Sequence, residues 1–120
     1  MEHRDMLIEL IEFRRPALEL QRLAHTFPYD FDGAPVSLTR GHLRNTLTRC
    51  MEGRISVREL ETWASLLEGR PGIDYEVGHE DQVSEVLFQL STPNINEEVT
   101  SAKCWRLMKK LSEGIGQPTP

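Results

Sequence analysis

The chain has 120 residues, 38% of them hydrophobic and 28% charged, which suits one globular domain with a single core. Its 14 basic and 19 acidic residues give a net charge of −5, which argues against nucleic-acid binding, because that function usually shows a basic face. No apolar run approaches the roughly 20 residues that span a bilayer, and the charged start MEHRD predicts no secretory signal. We therefore expect a soluble cytoplasmic protein without a membrane partner, in which Cys50 and Cys104 stay reduced.

Apolar residues recur with helical spacing along almost the whole chain. The first stripe is interrupted at Pro16, which predicts a kinked helix or two short helices over about residues 4–26. Residues 27–38 hold two prolines, one glycine and two aspartates, and we expect them to form a loop. No stretch alternates apolar and polar residues for long enough to predict a strand.

Capping signals mark the starts of the next two helices. Thr39 is a favoured N-cap ahead of an apolar stripe that begins at Leu43, and Gly53 is placed to end that helix. Ser56 and Glu59 form a capping box, in which the serine accepts a bond from the third backbone amide and the glutamate reaches back. The stripe of the helix that follows consists of Val57, Leu60, Ala64 and Leu67.

Two more helical stripes complete the chain. The first consists of Val83, Val86, Leu87 and Leu90, and the second of Cys104, Leu107, Met108 and Leu111. We expect the last helix to begin near Asn96 or Thr100. Trp63 and Trp105 lie beside stripe positions and are expected in the core. The pattern predicts an all-α fold, a single-domain bundle of five or six short helices over residues 1–113, with a flexible tail at 114–120.

The acidic residues are concentrated in one third of the chain. Ten of the nineteen lie in residues 59–98, where Arg70 is the only Lys or Arg, whereas residues 39–58 carry five arginines against Glu52. A surface of this charge steers and holds a basic partner. The alternative is that the arginines pair internally with the acidic segment.

We predict a partner-binding surface that combines these carboxylates with aromatic anchors, because aromatic side chains dominate binding hot spots. Its candidate residues are Asp74, Tyr75, Glu76, Glu80, Asp81, Glu85 and Phe88. Phe88 lies off the apolar face of its helix, a position that suits a partner-binding patch and a more fully buried helix equally. If the acidic segment is not the interface, the arginine-rich region Arg40–Arg58 is the next surface to consider.

The sequence contains no recognised catalytic or cofactor-binding motif. Both cysteines fall on apolar stripes, where cysteine behaves as a small hydrophobe. His79 lies among Asp74, Glu76, Glu80 and Asp81, groups that could ligate a divalent metal, but short neighbouring side chains on a loop diverge. We therefore predict no enzyme activity, no cofactor and no metal site, and a small metal-dependent enzyme is the alternative.

Residues 43–67 form a helix, the turn EGRIS, and a capped helix that contains EL and WA. The residues that match a turn joining two helices of a bundle are Gly53, Ile55, Ser56, Glu59 and Leu60. In this stretch the chain resembles small bacterial helical proteins encoded beside toxins, of the kind that includes colicin-D-type immunity proteins. The resemblance implies an inhibitor that covers a basic toxin domain, such as a nuclease, with an acidic surface. A regulatory or adaptor domain that binds another bacterial protein is the alternative function.

Overall fold

The computed structural model describes residues 1–93 and 98–112, and within them it contains six helices and two short strands. In chain order the elements are α1 (His3–Glu12), α2 (Ala17–His25), β1 (Val36–Leu38), α3 (Arg40–Met51), α4 (Val57–Leu67), β2 (Ile73–Tyr75), α5 (Glu80–Ser91) and α6 (Ser101–Ser112). The mostly helical fold confirms the predicted class. The predicted tail at 114–120 and the alternative helix start at Asn96 lie outside the described residues.

The break between α1 and α2 is made by an aromatic residue as well as by the proline. Phe13 has a left-handed backbone (φ 50°, ψ 51°), and its N–H donates to the Leu10 carbonyl at 3.1 Å, while Pro16 is the N-cap of α2. A left-handed conformation is unfavourable for a residue with a Cβ. The surroundings hold it, because the Phe13 ring stacks on Trp63 at 5.6 Å and the Arg49 guanidinium lies 4.8 Å from the ring centroid.

Helix α4 forms the centre of the core and packs against α1, α2, α3 and α5. Trp63 is fully buried, as predicted, and its indole Nε1–H donates to the Leu10 carbonyl at 2.6 Å. A buried indole needs such a partner for its N–H group. Val57 was expected on the buried stripe but is exposed, because it is the first residue of α4, directly after the exposed Ser56.

The predicted helix starts are correct. Ser56 Oγ accepts a bond from the Glu59 N–H at 3.0 Å, and Glu59 Oε1 accepts one from the Ser56 N–H at 3.2 Å. A second box begins α3, where Thr39 Oγ1 accepts from the His42 N–H at 3.2 Å and His42 Nδ1 accepts from the Thr39 N–H at 3.0 Å. Helix α6 begins directly after Thr100, whose Oγ1 accepts a backbone N–H at 3.1 Å.

The strands are the part of the fold that the sequence did not predict. β1 and β2 pair in parallel, with Val36 opposite Ile73 and Leu38 opposite Tyr75, so that α3 and α4 form the connection between them. Both strands lie in segments that were expected to be loops. Each is three residues long, which is too short for alternation to be visible in a sequence.

Aromatic contacts hold the loop before β1 against α1 and the start of β2. His3 stacks on Phe27 with ring centroids 5.2 Å apart and meets the Phe31 ring edge-on at 4.8 Å. Phe31 also lies over Gly72, where an added Cβ would come within 2.6 Å of the ring. Gly72 has φ +90°, a conformation that favours glycine, so this position excludes a side chain for two separate reasons.

Candidate interaction surface

The candidate residues of the acidic segment divide into exposed side chains and side chains bound within the fold. The exposed ones are Asp74, Glu80, Asp81 and Phe88, and the half-buried ones are Tyr75, Glu76 and Glu85. Tyr75 packs against the core from β2, and burial raises the pKa of its phenol. Its ring therefore contributes to packing under the surface.

Glu76 is joined to Arg40 by a two-point ion pair between the end of β2 and the start of α3. Arg40 Nε donates to Oε1 at 3.1 Å and Nη2 donates to Oε2 at 3.0 Å, while the Arg40 backbone N–H donates to Oε1 at 2.9 Å. These bonds from the side chain and the backbone of Arg40 lower the pKa of Glu76 from 4.5 to about 2. The carboxylate also lies at a helix N-terminus, where negative charge is favourable.

Helix α5 presents one outward stripe of residues at positions i, i+3, i+4 and i+7. This α5 stripe consists of Asp81, Ser84, Glu85 and Phe88, and the opposite face, made of Val83, Val86, Leu87 and Leu90, is fully buried. Phe88 is 38% exposed, which favours the surface interpretation of this residue over a wider buried face. Glu85 accepts a bond from Gln89 at 2.9 Å and lies 3.9 Å from Lys110 Nζ.

A valine adds exposed apolar area in the turn between β2 and α5. Val77 is 88% exposed and lies between the exposed carboxylates of Asp74 and Glu80 along the chain. Sequence reasoning missed it, because a turn residue belongs to no periodic stripe. We use the name acidic surface for Asp74, Val77 and Glu80 together with the α5 stripe. Glu80 and Asp81 also lie in the first turn of α5, where the helix dipole favours acidic side chains.

The arginines between β1 and α4 have several different settings. Arg40 is paired with the acidic segment as described, and Arg49 is held against the Phe13 ring. Arg54 pairs at 2.5 Å with its neighbour Glu52. Arg58 is exposed and lines two surface cavities beside α2. Internal pairing with the acidic segment therefore occurs at Arg40, whereas Arg54 pairs locally.

Helix α6 buries Cys104, Leu107 and Leu111 of the predicted stripe, but the residues beside that stripe differ from the prediction. Trp105, expected in the core, is 66% exposed, while Lys103 is fully buried. Lys103 Nζ donates to the Gln89 carbonyl near the end of α5 at 3.2 Å, which gives the ammonium a partner inside the fold. Desolvation lowers the pKa of Lys103. The expectation for Trp105 was wrong because a tertiary partner makes the buried lysine acceptable.

The outward side of α6 forms a second continuous surface. Its residues at positions i, i+3, i+4 and i+7 are Trp105, Met108, Lys109 and Ser112, which we call the α6 face. Met108 is half-buried against the core, and the other three are exposed. Together with Arg106 these four residues line a surface cavity of about 520 Å³. An exposed tryptophan offers the apolar area that is typical of binding hot spots, and the neighbouring Lys109 adds a positive charge.

Cys50 on α3 and Cys104 on α6 lie close to one another where the two helices pack together. Burial raises the pKa of the Cys50 thiol and raises that of Cys104 to about 11, so both are protonated at neutral pH and weakly nucleophilic.

His79 lies beside the acidic residues that the metal hypothesis invoked. Its Nδ1 is 2.9 Å from Gln82 Oε1. Within residues 1–93 and 98–112, no group of three or more His, Cys, Asp or Glu is arranged to hold a metal ion.

Comparison of the chain with models of protein families, with curated proteins and with solved structures finds no match. In the part of the chain that the structure describes, every helix is too short or too polar to cross a bilayer.

Proposed function

We propose that this chain is a protein-binding module that covers a basic surface of another protein with its acidic surface. The specific form that we propose is inhibition of a basic toxin domain in the cytoplasm, as the resemblance of residues 43–67 to immunity proteins implies. The proposal is carried by the α5 stripe, which holds two carboxylates and the exposed Phe88 on one outward face of a helix.

The carboxylates and the aromatic ring would affect different steps of binding. Asp74, Glu80 and Asp81 are exposed and act over the Debye length, about 8 Å in physiological salt, so they accelerate encounter with a basic partner. Phe88 would lose its remaining exposure only in the complex, and buried aromatic anchors slow dissociation. The partner that fits is a basic surface with an apolar pocket.

Tyr75 and Glu76 support this surface from beneath and are not proposed as contacts. The pairing of Glu76 with Arg40 fixes the end of β2, from which the chain continues through Val77 into α5. Reversing the charge of Glu76 would therefore disturb the fold as well as the surface. A test of the interface should leave this residue unchanged.

Co-expression with the product of the neighbouring reading frame tests the proposal directly. An affinity tag is added to the parent and to the triple variant Asp74→Lys, Glu80→Lys and Asp81→Lys. The amount of co-purified protein is then compared between the two. We expect the variant to lose the partner. Raising the ionic strength from about 0.1 M to about 1 M should weaken binding of the parent by at least about tenfold, because the attraction is between exposed charges. The captured protein should be basic. Its toxic activity should be blocked by the parent and not by the triple variant.

A matched variant separates the position of the charges from their number. Glu19, Asp30 and Asp32 are also exposed, and reversing all three to lysine changes the net charge by the same amount elsewhere on the surface. This control should retain the partner, and circular dichroism should show both variants folded. Equal loss in the two variants, or binding that is indifferent to salt, would exclude the acidic surface as the interface. Capture of a partner without toxic activity would favour the adaptor function instead.

A further inference from the structure

The α5 stripe and the α6 face have matching spacing and opposite charge. Each occupies positions i, i+3, i+4 and i+7 of a helix and is therefore about 10 Å long. The α5 stripe carries its carboxylates in its first two turns and Phe88 at its C-terminal end. The α6 face carries Trp105 at its N-terminal end and Lys109 one turn later.

An antiparallel alignment of an α5 stripe with an α6 face brings the two aromatic rings together and places the carboxylates beside the lysine. Phe88 would face Trp105, and the carboxylates of Asp81 and Glu85 would lie on either side of Lys109. A parallel alignment would place Glu85 against Lys109 but Asp81 against Trp105 and Phe88 against Ser112, so it keeps an ion pair and loses the aromatic contact. The pairing of Phe88 with Trp105 therefore specifies the antiparallel direction, because the carboxylates can reach Lys109 in either alignment.

Within one molecule, α5 and α6 already pack together through other contacts. Gln82 Nε2 donates to the Lys110 carbonyl at 3.1 Å, and Lys103 Nζ donates to the Gln89 carbonyl. Glu85 also reaches the seam between the helices, where it lies 3.9 Å from Lys110 Nζ, whereas Phe88 and Trp105 are exposed. We propose that the α6 face is a docking surface for the α5 stripe of a second copy of this chain.

The contact is head-to-tail, so each copy keeps one unused surface of each kind. One helix face against another buries little area, which predicts a weak and concentration-dependent association. The net charge of −5 opposes it at very low salt. At about 0.1 M salt the screening length is about 10 Å, so repulsion across the molecule is reduced while facing charges still attract.

The inference shares the α5 stripe with the proposed function but requires no basic partner. The two can therefore fail separately. If both hold, self-association and partner binding compete for Phe88 and Asp81, so a basic partner should dissociate the self-associated form.

Two variants, each altered on one surface, test the pairing by complementation. One carries Trp105→Ser and Lys109→Glu, and the other carries Asp81→Lys and Phe88→Ser. Sedimentation velocity of the parent from about 10 µM to about 1 mM protein should show a rising sedimentation coefficient at about 0.1 M salt and the monomer value at about 1 M. Each variant alone should stay at the monomer value. Their mixture should form a dimer and nothing larger, because only one intact pair of surfaces remains.

Tryptophan fluorescence gives a second readout. Trp63 is buried in every state, so a blue shift of the emission on concentration reports burial of Trp105. A parent that stays monomeric at all concentrations, a variant that associates like the parent, or a mixture that fails to dimerise would each overturn the proposal. If a double variant loses its helical circular dichroism, the single changes Lys109→Glu and Asp81→Lys replace the pair.

Discussion

The ion pair of Glu76 with Arg40 should make stability depend on pH in acid. The folded-state pKa of Glu76 is about 2 against an ordinary value of 4.5, so its contribution is complete above pH 4.5 and is lost as the pH falls towards 2. The gap between the two pKa values corresponds to about 3 kcal/mol at about 1.4 kcal/mol per pH unit. Because the Glu76 side chain keeps 27% exposure, we reduce this to about 2 kcal/mol for solvent screening.

Urea unfolding of the parent and of Glu76→Gln at pH 7 and pH 3 measures this contribution. The variant should be less stable by about 2 kcal/mol at pH 7, and the difference should shrink to under about 1 kcal/mol at pH 3, where the unfolded parent binds a proton at Glu76. Glu80→Gln removes an exposed carboxylate from the first turn of α5 and should show no comparable change between the two pH values. A Glu76→Gln difference that is the same at both pH values would refute the reasoning.

Three further substitutions test the packing and capping through chemical unfolding or thermal midpoints. Ser56→Ala removes one capping bond and should cost about 1 kcal/mol, and an unchanged midpoint would mean that this cap is unimportant. Gly72→Ala should cost about 2 kcal/mol or more, because it combines a positive φ with a 2.6 Å approach to Phe31, and parent-like stability would show that the loop relaxes freely. Trp63→Phe should cost about 2 kcal/mol, because it leaves a cavity and removes the bond to the Leu10 carbonyl; a loss below about 0.5 kcal/mol would contradict that account.

The features that the sequence predicted well are those encoded within one helical turn. The capping residues Thr39 and Ser56 bond to amides three positions away, so their partners are visible in the sequence itself. Trp63 was placed correctly because its neighbours form a clear apolar stripe. These local signals account for the helix starts and for most of the core.

The features that the sequence did not predict depend on partners far apart along the chain. Glu76 and Arg40 are 36 residues apart, so the excess of arginines and acids suggested pairing without indicating which residues pair. Lys103 is buried where the end of α5 supplies a carbonyl, while Trp105, on the other side of the predicted stripe, is exposed. At the candidate site, the exposed carboxylates were predictable from charge alone. The burial of Tyr75 was not, because it follows from the parallel pairing of β2 with β1.

The parallel strand pair has a consequence for cooperativity. β1 belongs to the first half of the chain and β2 to the second, and Trp63 of the second half is bonded to Leu10 of the first. The exposed turn at Gly53 separates these halves, so neither half contains both members of any of these pairs. Neither fragment cut at that turn should therefore fold by itself, whereas the two together should reassemble. The intact protein should unfold in one transition, with no intermediate in which one half stays native.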